Sequence, residues 1–261
     1  VAQLTTLDVL AIGAHPDDVE LGCGGTVALL ARAGHRVGLL HLTRGESGTR
    51  GSEEERRAEA RAAADVLGAA AVLYLDCGDG RFRHGEAEED ALIGVLRRHR
   101  PELVLGPTPS DRHPDHGRAH RLVSDACFYA GLAARRIEAS PDLPAHRPAA
   151  MFAYMQHDPF EPALVVDVTA VWDAKQRALD CYRSQIHQGE PDRPARPTGD
   201  RTRDEPETKV ASRDFRLAVE GRGRHFGLMI GATYGEPFWS RLPVAVGDAG
   251  TLLSLLPGGV R

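Results

Sequence analysis

The chain has 261 residues, a net charge of −5, and is 42% hydrophobic and 26% charged. That is long enough to enclose a real core in one α/β domain. The acidic balance argues against a general nucleic-acid binder, which needs a basic face. No apolar run approaches the roughly 20 residues of a membrane span. No export signal is visible, and the cysteines Cys23, Cys77, Cys127 and Cys181 form no CxxC pair. A cytoplasmic protein without disulfides is the expectation.

In chain order, the nearly continuous apolar run 7–13 predicts a strand buried on both faces. A small, apolar helical stretch follows over 26–33 and stops at Gly34. Residues 36–43 predict a second strand. Ser52 then caps a helix, with Glu55 at the capping-box position, running to Gly68. A strand at 71–75, a helix at 88–99 ended by Pro101, and a strand at 102–106 complete an alternating β/α order. Beyond it come a helix at 116–130, a strand at 163–169, a helix at 171–185 and a helix at 215–230. The stretch 188–206 is rich in Pro, Arg, Asp and Gly and predicts a mobile surface loop. The alternation predicts an α/β fold of Rossmann-like type. It is a mainly parallel sheet with helices on both faces, in a single domain over residues 1–261 with C-terminal elaborations.

Two loops concentrate the chemistry. After the first strand the chain reads Gly13-Ala-His-Pro-Asp-Asp-Val-Glu20. After the fourth it reads Ser110-Asp-Arg-His-Pro-Asp-His-Gly117. In doubly wound folds both lie at the carboxyl edge of the sheet, where ligands bind. His15, Asp18 and His116 make a His₂Asp set, the three N/O ligands that a catalytic zinc site needs beside an open position. Zinc is the expected cofactor, with another divalent metal as the alternative. Asp17 is then the candidate base for the attacking water. His113 can act as an acid or hold an oxyanion, with Asp115 orienting its ring.

Each motif alone has a plainer explanation. A His-x-x-His pair is usually a surface pair, Asp-Asp a helix cap, and His-Pro-Asp a turn. Two loops at neighbouring strand ends, each carrying His-Pro-Asp, favour the metal site. A dinucleotide cradle is rejected, because Gly22, Gly24 and Gly25 come after the turn rather than in it. Gly24 and Gly25 allow close packing or aim backbone N–H groups at an anion.

With these motifs the sequence resembles the LmbE-like, or PIG-L, zinc-dependent N-acetylglucosamine deacetylases. The resemblance rests on His15-Pro-Asp-Asp18, Glu20, Gly22-Cys-Gly-Gly-Thr26 and His113-Pro-Asp-His116. It continues through 54–59, 66–68, 165–168, Tyr182-Arg-Ser-Gln185 and 226–236. The later motifs are most similar to the bacillithiol-biosynthesis branch. The resemblance implies a Rossmann-like fold and hydrolysis of an N-acetyl amino sugar, N-acetylglucosaminyl malate first. Mycothiol precursors, chitobiose-like sugars and antibiotic intermediates are the alternatives. It also implies a homo-oligomer, with a hexamer as precedent, and no nucleic-acid or membrane partner.

Carried over by position, the resemblance implies His15, Asp18 and His116 as ligands and Asp17 as base. It makes His113 the charged partner of the intermediate, held by Asp115. Arg56 would face the sugar, and Arg112 the carboxylates of a malate aglycone. Local alternatives are pairing of Arg56 with Glu53 or Glu59 and a loop-capping Arg112. The family's oxyanion tyrosine or arginine has no evident counterpart, and Tyr234 and His157 are weak candidates. A different class, a metal-binding module without turnover, keeps the same ligands.

Overall fold

The structure, a computed structural model, describes residues 6–186, 208–245 and 247. The loop expected at 188–206 lies outside the described residues. The first half alternates strand and helix. It comprises β1 (Val9–Gly13), α1 (Asp18–Arg32), β2 (Val37–His41), α2 (Glu53–Leu67), β3 (Ala71–Tyr74), α3 (Glu86–His99), β4 (Leu103–Gly106) and α4 (Pro114–Ala130). Then come β5 (Ala150–Tyr154), β6 (Leu164–Asp167), a 3₁₀ turn (Thr169–Val171), α5 (Trp172–Cys181), α6 (Arg213–Met229) and β7 (Gly235–Trp239). The alternation expected over the first 106 residues is present. β5 and β7 are additions that the sequence did not announce, and α1 begins eight residues earlier than expected.

The seven strands form one sheet in the order β3-β2-β1-β4-β5-β7-β6. β1 to β5 are parallel, and β7 runs antiparallel between β5 and β6. Alternation along each strand divides the interior in two. Val9, Ala11, Val37 and Leu39 pack under α1, α2, α5 and α6. Leu10, Ile12, Leu40 and Val104 pack under α3 and α4. β1 and β4 are adjacent, yet the chain leaves them toward opposite faces. The strand order reverses there, which opens a crevice beyond their carboxyl ends. The two motif loops meet in it.

Helix ends follow the local sequence. Ser52 Oγ accepts the Glu55 N–H, and the Glu55 carboxylate accepts the Ser52 N–H, a complete capping box. Gly68 closes α2 at φ 76°, in the left-handed region glycine tolerates. α1 is less regular. Cys23 has φ −142° inside it, splitting the helix into two pieces. The freed N–H groups of Gly25 and Thr26 donate to the Glu236 carboxylate at 2.9 and 2.7 Å. Lys175 Nζ meets the same carboxylate at 2.6 Å, and both side chains are buried. The glycine-rich turn thus aims its N–H groups at an anion, and that anion is a side chain of β7.

Candidate active site

The β1 loop is built by a strained turn. Asp17 has φ 102°, a conformation L-residues rarely adopt, and it immediately precedes α1. Its neighbour Asp18 turns back to accept the His15 N–H at 2.8 Å. The turn therefore presents His15, Asp17 and Asp18 together, all buried. The β4 loop is built by a helix cap. His113 Nδ1 accepts the Asp115 N–H at 3.3 Å, with Pro114 at the first helical position. One turn later His116 enters the crevice, with its ring 5.0 Å from that of His113 and 5.6 Å from that of His15.

Asp18 lies between the two ligand histidines expected from sequence. His15 Nδ1 is 3.5 Å from its Oδ2, and His116 Nε2 is 3.4 Å from its Oδ1. Two ligand atoms on a tetrahedral zinc at roughly 2.0–2.1 Å each stand about 3.3 Å apart. The spacing suits a shared cation better than a hydrogen bond, which would be shorter. The opposite nitrogens face carboxylates. His15 Nε2 is 3.2 Å from Asp79 and 3.5 Å from Asp115, and His116 Nδ1 is 3.5 Å from Asp111. Neither nitrogen reaches an aligned hydrogen bond. Outer carboxylates on ligand histidines are the usual support of a metal centre. His15, His113 and His116 bring donor atoms within 4.8 Å of one another, and so do His15, Asp79 and Asp115. The donor set fits a divalent cation with N/O preference.

Electrostatics favour positive charge here. Burial works against a charged His116, but Asp18 and Asp111 outweigh it and raise the ring to about 9. His15 is raised in the same way by Asp115, Asp18 and Asp79 against its burial. Asp17 differs. Burial pushes its carboxyl up to about 7, although the Arg56 guanidinium 3.9 Å away pulls the other way. A buried carboxyl poised near neutrality is what a general base requires.

Two expectations are revised by the contacts. The Asp115 carboxylate does not reach the His113 ring. It turns to His15, to the Gly80 N–H at 2.9 Å and to Arg118 at 3.0 Å, and only its backbone N–H touches His113. That N–H calls for an unprotonated Nδ1 on the His113 ring. Burial, with the neighbouring rings of His15 and His116, lowers it in the same direction. Arg56 is buried. It donates to Gly45 O at 3.0 Å and Pro16 O at 2.9 Å, clamping the strained loop, and it pairs with neither Glu53 nor Glu59. Arg112 is exposed, and its charge acts on the His157 ring.

Of the weak candidates, Tyr234 stacks on Trp172 at 4.1 Å and its hydroxyl faces Glu220, outside the crevice. His157 does enter, with its ring parallel to His116 at 6.0 Å. Sequence reasoning missed Asp79, Asp111 and Gln156. Asp79 follows β3 between two glycines at the same sheet edge, and Asp111 stands inside the second motif loop, so both carried a signal. Gln156 follows the unforeseen β5 and carried none. A groove of about 710 Å³, lined by Cys127, Phe152 and Trp239, shares none of these groups.

Fold and crevice together define a class: a doubly wound α/β protein whose crevice gathers histidines and carboxylates that could hold a cation, with the buried Asp17 carboxyl beside them. Residues 10–127 match the family described as PIG-L, GlcNAc-PI de-N-acetylase. Diacetylchitobiose deacetylase of Thermococcus kodakarensis is 34% identical over 189 residues, covering 68% of this chain and 70% of that protein. 4-Oxalmesaconate hydratase of Pseudomonas putida is 31% identical over 199 residues, covering 68% and 74%. The crystal structure of a conserved protein from Thermus thermophilus superposes with a TM-score of 0.79 at 35% identity. It covers 94% of this chain and 99% of that one. The chain belongs to the PIG-L, or LmbE-like, deacetylase family. Among the described residues no helix is long and apolar enough to cross a membrane.

Proposed function

We propose that this protein is a zinc-dependent hydrolase that removes the acetyl group of an N-acetylglucosamine conjugate. The observation that carries this is the convergence of His15 Nδ1 and His116 Nε2 on the two Asp18 oxygens, with the Asp17 carboxyl buried alongside. A divalent cation held by His15, Asp18 and His116 would polarise the acetyl carbonyl and ease deprotonation of the attacking water. Asp17 takes the proton of that water as its oxygen bonds to the acetyl carbon. The His113 Nε2–H donates to the developing oxyanion. Asp17 then returns the proton to the amide nitrogen as the C–N bond breaks, leaving acetate and a free amine. Arg56 holds the Asp17 loop through Pro16 O, and Asp79 and Asp115 hold His15.

N-acetylglucosaminyl malate is the preferred substrate, on the branch resemblance. An anionic aglycone is supported by the hollow of about 390 Å³ beside His157. Among the described residues its lining includes Lys209, Arg222 and His225 and no carboxylate residue. The exposed Arg112 adds a positive charge that acts on His157. A cytoplasmic hexamer is the expected form, on the same resemblance. The named activities of relatives supply the comparison substrates, diacetylchitobiose and 1D-myo-inositol 2-acetamido-2-deoxy-α-D-glucopyranoside.

The test is acetate release by the zinc-loaded protein across these substrates. Asp17→Asn keeps the strained turn, because Asn tolerates positive φ, and should retain zinc while losing about 10²- to 10⁴-fold in turnover. Near-wild-type turnover would remove Asp17 as base. His116→Ala should lose its metal on dialysis. The hydratase relative supplies a second reading, the same activated water added to a different acceptor. Hydration of 4-oxalmesaconate without acetate release from any N-acetyl sugar would favour it.

A further inference from the structure

Gln156 stands two residues beyond β5, in a third loop at the crevice. Its side chain is buried, and its Nε2 donates to Asp18 Oδ1 at 2.6 Å. A carboxylate turns easily about its terminal torsion, whose wells are broad, so fixed donors must set its orientation. Asp18 has two such donors. The His15 N–H on Oδ2 comes with the turn itself. The Gln156 amide on Oδ1 arrives from 138 residues away, on the oxygen that also faces His116 Nε2.

Gln156 is anchored on both sides. Its own carbonyl accepts from Arg222, which also donates to Leu21 O in α1 at 2.8 Å. The next N–H, that of His157, donates to Asp111 Oδ2 at 3.0 Å. Helix α6 thereby holds the β5 loop against α1, at the distance where the amide meets Asp18. The other half of the carboxamide is idle, since Oε1 is buried without a partner. An unpartnered buried acceptor is unfavourable for folding. Packing alone would be better served by an apolar side chain of similar size. What the position supplies is the N–H at Asp18.

We propose that Gln156 is a positioning residue that orients the Asp18 carboxylate toward the divalent cation and so sets metal affinity. This rests on the assignment of His15, Asp18 and His116 as the cation site. Gln156→Leu removes the donor and the idle acceptor together. Gln156→Glu keeps the shape and replaces the donor with a second carboxylate. Zinc affinity is measured by competition with a chromophoric chelator on full-length protein, alongside the melting temperature of each metal-free variant. Both variants should bind zinc about 10- to 100-fold more weakly, the usual effect of losing an outer partner of a ligand. In metal-free Gln156→Leu the lost donor on Asp18 and the removed idle acceptor oppose each other, so its melting temperature shows that the variant is folded and separates loss of stability from loss of affinity.

Wild-type zinc affinity in folded Gln156→Leu overturns the proposal, as does a lower melting temperature with affinity unchanged. If Gln156→Leu does not fold, Gln156→Glu decides in the same titration. His116→Ala separates the two assignments. If it binds zinc as tightly as wild type, the cation site itself has failed and the role of Gln156 falls with it. If His116→Ala alone is weakened, only the role of Gln156 is lost.

Discussion

Replacing Glu236 by glutamine breaks the buried pair that holds the two pieces of α1 to the sheet. The carboxylate accepts four bonds: Gly25 N–H at 2.9 Å, Thr26 N–H at 2.7 Å, Thr26 Oγ at 2.6 Å and Lys175 Nζ at 2.6 Å. Glutamine keeps one acceptor oxygen and loses the charge. Lys175 would then be a buried ammonium without a counter-charge, beside Leu21 O at 3.0 Å and the Trp172 ring at 5.6 Å. Removing one partner of a buried pair costs about 3–5 kcal/mol, because the other charge is left uncompensated. For a chain of this size that is roughly 6–20 °C in melting temperature. Urea unfolding at pH 7, followed by tryptophan fluorescence, reports it directly, since Trp172 packs beside Lys175. The double variant Lys175→Met/Glu236→Gln removes the stranded charge and should recover more than half of the loss. A Glu236→Gln loss under about 1 kcal/mol, or a double variant as unstable as the sum of the singles, would refute the assignment of a strongly coupled pair.

Three further outcomes are expected. A Cβ at Gly22 would overlap the Tyr154 ring, whose hydroxyl is bonded to Ile12 O at 2.8 Å, so Gly22→Ala should cost about 1–3 kcal/mol or more by overpacking, read from the urea midpoint. Ser52→Ala removes the accepting side of the capping box and should cost about 1 kcal/mol in the same assay, with metal content unchanged. Burial raises the thiols of Cys77 and Cys127 to about 12 and that of Cys23 well above its usual range. At pH 8 a thiol reagent should therefore modify Cys181, the least enclosed, before the other three, and mass spectrometry of the modified peptides checks the order.

Where neighbours along the chain set the structure, the sequence was legible. The apolar runs of β1 and β2, the capping box at Ser52, the stop at Gly68 and the two His-Pro-Asp loops all speak through contacts within a few residues. They suffice to name a doubly wound fold and to place His15, Asp17, Asp18, His113 and His116 at one sheet edge. β7 was missed because Pro237 reads as a strand breaker. It is tolerated there because the strand is short and pairs with β5 through only Ala153 and Tyr154. The early start of α1 was missed because Gly22, Gly24 and Gly25 read as breakers. Tyr154 packing and the Glu236 carboxylate support them, and neither is visible locally.

The tertiary structure alone decided how the site groups are held. Asp79, Asp111 and Gln156 reach His15, His116 and Asp18 from three different strand ends. Asp115 leaves His113 for His15, and Arg56 clamps a loop. Glu236 finds Gly25 across 211 residues. A residue type announces what chemistry it can do. Which oxygen faces which nitrogen depends on how the β-strands are ordered in the sheet, and pairing between distant segments leaves no periodicity along the chain to read.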